Sequence, residues 1–278
     1  MFNNRTLVIA TMHQKEQVIQ PILESNLGCI CFVPKKIDTD KLGTFSGEIK
    51  RLDDPIAAAR KKCYIAMELT NTDLAVASEG SFGPHPSYFF INTDDEFLIF
   101  IDRKNELEIV VRELSLDTNL YGAYITTEDE LKDFAEKAKF PSHGLILRKS
   151  ESVLTDIYKG ITSWEELTNK FNLLKNKAEK VYLETDMRAM FNPTRMEVIR
   201  KLTEKLVDKI NSNCPNCSTP GFGVTDVKLG LPCSQCFFPT KSVKSHVFSC
   251  SKCYYSEEKL FPNKKEIEDP MYCDVCNP

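Results

Sequence analysis

Eight of the eleven cysteines fall into four identical spacings near the C-terminus: Cys214/Cys217, Cys233/Cys236, Cys250/Cys253 and Cys273/Cys276. Two residues between cysteines let both thiolates of a tight turn point at one metal ion. Two such turns complete a tetrahedral four-thiolate site for Zn²⁺. A redox pair normally occurs once and begins a helix, and a reducing compartment keeps few disulfides, so the fourfold repeat points to two structural zinc ions. Sequential pairing leaves 15 residues inside the first site and 19 inside the second. Both lengths suit zinc ribbons, and sequential pairing is the expectation; interleaved pairing would give a cross-brace. Four thiolates per ion leave no open coordination position, so any chemistry must lie elsewhere in the chain.

Charge narrows the partners of this tail. Residues 214–278 carry 7 basic against 7 acidic side chains, no excess with which to neutralise phosphates, which disfavours nucleic acid. A protein partner and a phosphorylated small molecule stay open. The chain is 42% hydrophobic and 27% charged, and no segment approaches the ~18 apolar residues of a membrane span. The first residues lack the basic stretch and longer apolar run of a secretion signal, so a cytoplasmic location is expected.

Ahead of the cysteines the pattern alternates helix and strand. A strand at 6–10, a helix at 13–25 that Gly28 can end, and a strand at 29–33 form a β-α-β opening. Asp54 and Pro55 introduce a helix as N-cap and first helical residue. An apolar strand at 74–78, a loop at 79–87 and strands at 88–91, 97–102 and 107–114 follow, with a turn at Lys104-Asn105. Thr127/Glu130 and Ser163/Glu166 fit capping boxes of two further helices, with strands at 144–148 and 180–183. Asn192-Pro193 starts a long amphipathic helix that ends just before the first zinc cysteine. The expected fold class is α/β: a mixed sheet with flanking helices over 1–212, followed by a double zinc-ribbon module over 213–278.

Three loops at the carboxyl ends of strands carry reactive side chains, where open α/β sheets place their ligands. At the first, Thr11, His13 and Lys15 sit where a strand runs into a helix, so N–H groups and an ammonium can hold a phosphate. The second, 38–51, contains two glycines, Glu48 and Arg51. In the third, Gly80, Gly83, Pro84 and Pro86 surround Glu79, Ser81 and His85, an arrangement suited to a carboxylate that binds metal or activates water and an imidazole that transfers protons. Asp102, at a strand end, is a candidate second carboxylate for Mg²⁺. Asp186, Arg188, Asn192 and Arg195 cluster at a helix start, a pattern that binds an anion or, as the simpler reading, caps and pairs.

The segments GTFSGE, SEGSFGPHP and the terminal CDxCNP resemble the marks of an uncharacterised bacterial family, a domain of unknown function. The run Ala10-Thr11-Met12-His13-Gln14-Lys15-Glu16 is similar to the S-x-N-x-x-K-x-x-E opening of house-cleaning nucleoside triphosphate pyrophosphatases, the inosine triphosphatase and Maf-like group. That resemblance implies Lys15 on phosphate, with Glu48 and Glu79 holding Mg²⁺ or positioning the attacking water. His13 stands where that group has Asn, and Gly144 stands where its Ser-His-Arg has Arg. Taken together, the residues and the resemblance imply a metal-dependent hydrolase acting on a phosphorylated, nucleotide-like small molecule. The alternative is a ligand-sensing adaptor that uses its zinc module to contact protein.

Overall fold

The computed structural model describes residues 1–34, 54–153 and 155–278. The chain divides into two compact units, Met1–Val207 and Asp208–Pro278.

The first unit opens with β1 (Thr6–Ile9), α1 (Glu16–Leu27) and β2 (Ile30–Phe32), with β1 and β2 parallel as the β-α-β pattern requires. Gly28 ends α1 in the left-handed region at φ 65°, and a Cβ there would meet Asn3 Oδ1 at 2.5 Å. Helix α2 (Pro55–Thr70) begins as expected: Asp54 Oδ2 accepts the Ala57 N–H at 3.0 Å, and Pro55 takes the first helical position. Strand β3 (Leu74–Pro84) pairs in parallel with β1. Strands β4 (Asn92–Asp102) and β5 (Leu107–Ser115) then add antiparallel neighbours, giving the order β2-β1-β3-β4-β5. Ala59, Cys63 and Ala66 of α2 pack on Val8, Ala75, Ala77, Ile99 and Ile101. By the two-residue period, Ile9, Val76, Leu98 and Phe100 line the opposite face, and all are fully buried.

The β3–β4 hairpin corrects the sequence reading. The expected loop at 79–87 is mostly strand: β3 runs through Glu79, Gly80 and Ser81 to Pro84, in unbroken register from Leu74↔Asp102 to Pro84↔Asn92. Residues 88–91, expected as strand, form the turn. Glycine and proline read as punctuation, but cross-strand pairing decides here.

A second sheet, which the sequence did not reveal, has the order β6-β9-β7-β8 and is antiparallel throughout. Its strands are β6 (Gly122–Ile125), β7 (Leu145–Arg148), β8 (Ile157–Ile161) and β9 (Val181–Thr185). Helices α3 (Glu128–Lys137) and α4 (Trp164–Lys175) contribute Leu131, Phe134, Leu167 and Phe171 to a core shared with Leu145, Leu147 and Leu183. Each such side chain stabilises the fold by about 1.5–3 kcal/mol. Thr127 and Glu130 form the full capping box; at Ser163 only the side chain to the Glu166 N–H is made, at 3.2 Å. The two strands missed, GAYI and IYKGI, are short and carry glycine, so their periodicity is weak. Helix α5 (Pro193–Asn211) follows, with Asn192 Oδ1 accepting the Arg195 N–H at 3.0 Å.

The second unit holds an antiparallel meander of β10 (Gly223–Leu229), β11 (Val243–Ser249) and β12 (Ser256–Leu260). Among the described residues no helix is long and apolar enough to cross a membrane.

Candidate functional site

The cysteines assemble into two groups of four: Cys214, Cys217, Cys250 and Cys253; and Cys233, Cys236, Cys273 and Cys276. Sequential pairing is therefore overturned, and the topology gives the reason. In an up-and-down meander, the turn before β10 and the turn between β11 and β12 lie at one end of the sheet, whereas the β10–β11 turn and the segment after β12 lie at the other. First joins third and second joins fourth. Within each group the sulfurs lie within 4.8 Å of one another. The Cys214–Cys253 and Cys217–Cys250 separations are both 3.6 Å, and Cys236–Cys273 is 3.5 Å. A tetrahedron with metal–sulfur bonds of ~2.3 Å has edges of about 3.8 Å, so each group can hold a metal ion with little movement. The turns repeat one device: Ser218, Phe237 and Tyr254, each directly after a second cysteine, adopt positive φ, and Phe237 and Tyr254 donate their N–H to the carbonyls of Cys233 and Cys250.

In the first unit the other candidates separate by strand parity. Ser78, Gly80 and Phe82 of β3 face the same way as their partners Leu98, Glu96 and Asp94 of β4; Glu79 and Ser81 face the opposite way with Phe97 and Asp95. On the Ser78 face, Lys15 sits directly ahead of α1, 4% exposed, and its Nζ lies 3.0 Å from Ser78 Oγ and 3.6 Å from Glu96 Oε2. Arg195, in the first turn of α5, donates from Nε to Glu96 Oε1 at 2.6 Å and from Nη1 to Met187 O at 2.5 Å, with its guanidinium over the Phe82 ring. Neither Arg195 nor Glu96 has solvent exposure. Gly80 makes room for this pair: a Cβ there would lie 2.1 Å from Glu96 Oε1. Removing one partner of such a buried pair costs about 3–5 kcal/mol.

The electrostatics follow from burial. Burial lowers Lys15 to about 8 against the pull of Glu96, with Arg195 adding to the depression and Glu79 opposing it. Burial and then Glu96 push the Asp94 carboxyl up to about 8. Burial works against ionisation of Glu96 too, but Arg195 and Lys15 outweigh it and hold that carboxyl below its ordinary value. His13, at φ 65°, is lowered to about 4 by burial, then by Lys15, Arg195 and Arg188. His13 and Gln14 both adopt left-handed backbone, a local strain of the kind that clusters at ligand sites.

The remaining sequence candidates are placed as follows. Glu79 is ion-paired to Lys62 of α2 on the other face of the sheet. His85 lies at the hairpin turn, where Nδ1 accepts the Ser87 and Tyr88 N–H groups at 3.0 and 3.1 Å; six strand residues, about 20 Å, separate it from Glu79. Asp102 is at the other end of β4, where Arg5 binds it at 2.5 and 2.7 Å and Asn105 Nδ2 at 2.6 Å. Thr11 is buried and its hydroxyl donates to Met12 O. Ser81 is half-buried on the Glu79 face. Glu48 and Arg51 lie outside the described residues. The structure brings Lys15 and His13 together with Ser78, Glu96, Asp94 and Arg195, and leaves His85 and Asp102 at opposite ends of the hairpin. Asp94 and Glu96 were not picked out by sequence reasoning: they belong to three consecutive acids, Asp94-Asp95-Glu96, and only the strand register separates the two buried ones from Asp95.

A family described as a domain of unknown function (DUF6671) matches residues 62–278, a span that includes Glu79, Asp94, Glu96, Arg195 and all eight paired cysteines, while His13 and Lys15 precede it. No curated protein matches the chain significantly. With more than three quarters of its residues matched, the chain belongs to the family described as a domain of unknown function (DUF6671).

Proposed function

We propose that the α/β unit is a divalent-metal-dependent hydrolase of a phosphorylated, nucleotide-like small molecule, and that each cysteine group of the second unit holds a structural Zn²⁺. The observation that carries the first part is the meeting of Lys15 and Arg195 with buried carboxylates beside the carboxyl ends of the parallel strands β1 and β3. That is where open α/β sheets bind ligands. Two cations suit a phosphate, carboxylates suit Mg²⁺, and the strained His13-Gln14 turn borders a cavity of about 260 Å³ lined by Gln14, Val18, Met190 and Met196. The likeness of the first turn to nucleoside triphosphate pyrophosphatases supports the same reading. Lys15 and His13 would contact phosphate. Glu96 would help to hold the cation, while Glu79, on the other face of the sheet, would act on Lys15 only through its charge. For the second part, four thiolates at tetrahedral spacing select Zn²⁺ over oxygen-seeking cations.

The test is thermal unfolding of zinc-loaded protein with nucleoside mono-, di- and triphosphates and sugar phosphates in the presence of Mg²⁺. A true ligand at a hundredfold excess over Kd stabilises the protein by about 2.7 kcal/mol. Lys15→Met and His13→Ala should lose that effect, and the stabilising compound should be turned over to release phosphate or pyrophosphate. A screen in which no phosphorylated compound shifts the transition sinks the reading. In that case a protein-binding adaptor is favoured by one observation: Phe237 and Tyr254, at the tips of two cysteine turns, are 74% and 85% exposed.

A further inference from the structure

We infer that Asp94 and Glu96 together form a binding site for one hard divalent cation, Mg²⁺ or Mn²⁺, on the inner face of β4.

Both residues project to the same face because they are two apart in a regular strand, with Cα atoms ~7 Å apart, close enough for two carboxylates to share an ion. Both are essentially without solvent exposure, at 1% and 0%. Each has a carboxylate oxygen, Asp94 Oδ1 and Glu96 Oε2, that accepts no hydrogen bond from any of the described residues. A buried acceptor left unmade is costly, and an ionised one far more so, so such atoms are rare in a settled core. The cations nearby are committed to Glu96: Arg195 Nε holds Oε1, and Lys15 stands 3.6 Å from Oε2, beyond hydrogen-bonding distance. Asp94 is left beside a second carboxylate, two residues along the same strand face. Two adjoining buried carboxylates need a positive partner if both are to ionise. A proton can serve, and so can a metal ion, which also uses both idle oxygens. Mg²⁺ is commonly held by one or two carboxylates, with waters and substrate phosphate oxygens completing its octahedron. The side chains Lys15 and Arg195 stand on the same strand face, where that phosphate would lie.

This inference deepens the proposed function but is tested without any phosphorylated ligand. Mn²⁺ is the probe, because it sits lowest in the divalent affinity series and leaves thiolate-bound zinc in place. Zinc-loaded full-length protein is titrated with Mn²⁺, and free Mn²⁺ is followed by electron paramagnetic resonance. The expected result is one Mn²⁺ bound per chain in wild type and in Asp95→Asn, whose side chain points to the opposite face and pairs with Arg112. In Asp94→Asn, affinity should fall at least tenfold. That change mimics a protonated carboxyl and so leaves the fold intact. A second measurement needs no variant: bound Mn²⁺ should broaden the amide resonances of Phe82 and Glu96 most strongly, with the effect weakening toward Asp102, six residues, about 20 Å, along β4 from Glu96. The absence of stoichiometric Mn²⁺ binding, equal binding by Asp94→Asn, or broadening centred elsewhere overturns the site and leaves the pair to share a proton. Nucleotide stabilisation without Mn²⁺ binding would remove this inference alone; Mn²⁺ binding without any nucleotide effect would remove the hydrolase reading alone.

Discussion

His13 shows how much one residue's charge depends on its surroundings. Its ring is lowered to about 4 by burial and then by Lys15, Arg195 and Arg188, with Asp186 acting the other way. The unfolded chain titrates this histidine near 6.5. Between about pH 6.5 and 4 the unfolded state therefore binds more protons, and stability from this group, complete above pH 6.5, is lost as the pH falls through that window. The expected loss is on the order of 2 kcal/mol. His13→Gln should flatten the fall in urea-denaturation stability between pH 6.5 and 4.5, and a ¹H–¹⁵N titration should place the wild-type imidazole near 4. An ordinary midpoint near 6.5 would mean that the ring does not face this cationic group. The imidazole is neutral at pH 7 and so keeps an acceptor nitrogen.

At the scale of elements, the β3–β4 hairpin makes the site. Its unbroken register sends Ser78, Gly80 and Phe82 to one face and Glu79 and Ser81 to the other, so residues adjacent in sequence serve different neighbours. Gly80 is required by its cross-strand partner and not by a turn: its missing Cβ is the space taken by the Glu96 carboxylate and the Arg195 guanidinium, at 2.1 and 2.6 Å. Gly80→Ala must drive apart a fully buried ion pair and should lower stability by about 3 kcal/mol in urea denaturation. Gly83→Ala, three residues along the same strand with nothing within 4 Å of its would-be Cβ, should change stability by less than about 1 kcal/mol. Equal tolerance at both positions would contradict the packing described around Glu96.

At the scale of the molecule, the cysteine unit has a small apolar core built on Phe222 with Phe248 and Tyr255, and under the proposed zinc binding the two ions would supply much of its stability. Structural zinc contributes roughly 10–16 kcal/mol to such folds, and chelation should unfold Asp208–Pro278. Interleaved pairing makes a distinctive prediction for zinc content. Cys217→Ser should lose one of two zinc ions, Cys217→Ser with Cys250→Ser should still lose only one, and Cys217→Ser with Cys236→Ser should lose both, measured by inductively coupled plasma mass spectrometry. Sequential pairing would reverse the two double variants.

Local chemistry was legible in the chain itself. The four Cys-x-x-Cys turns, the Asp54 and Thr127 caps, the Gly28 stop and the β-α-β opening follow from spacing and backbone preference within a few residues, and each stands in the structure as read. What the sequence left open depended on residues far apart in the chain. Which cysteines come together was decided by the meander, whose alternating ends bring Cys217 to Cys250 and not to Cys233. The partner of Lys15 was decided by hairpin register and by α5, which carry Glu96 and Arg195 to it across 81 and 180 positions of sequence. Glu79, prominent in sequence beside two glycines, was taken by Lys62 because strand parity turned it to the α2 face. Caps and turns are set by neighbours along the chain, whereas the pairing of buried charges is set by which strands and helices meet, and only the tertiary structure determines that.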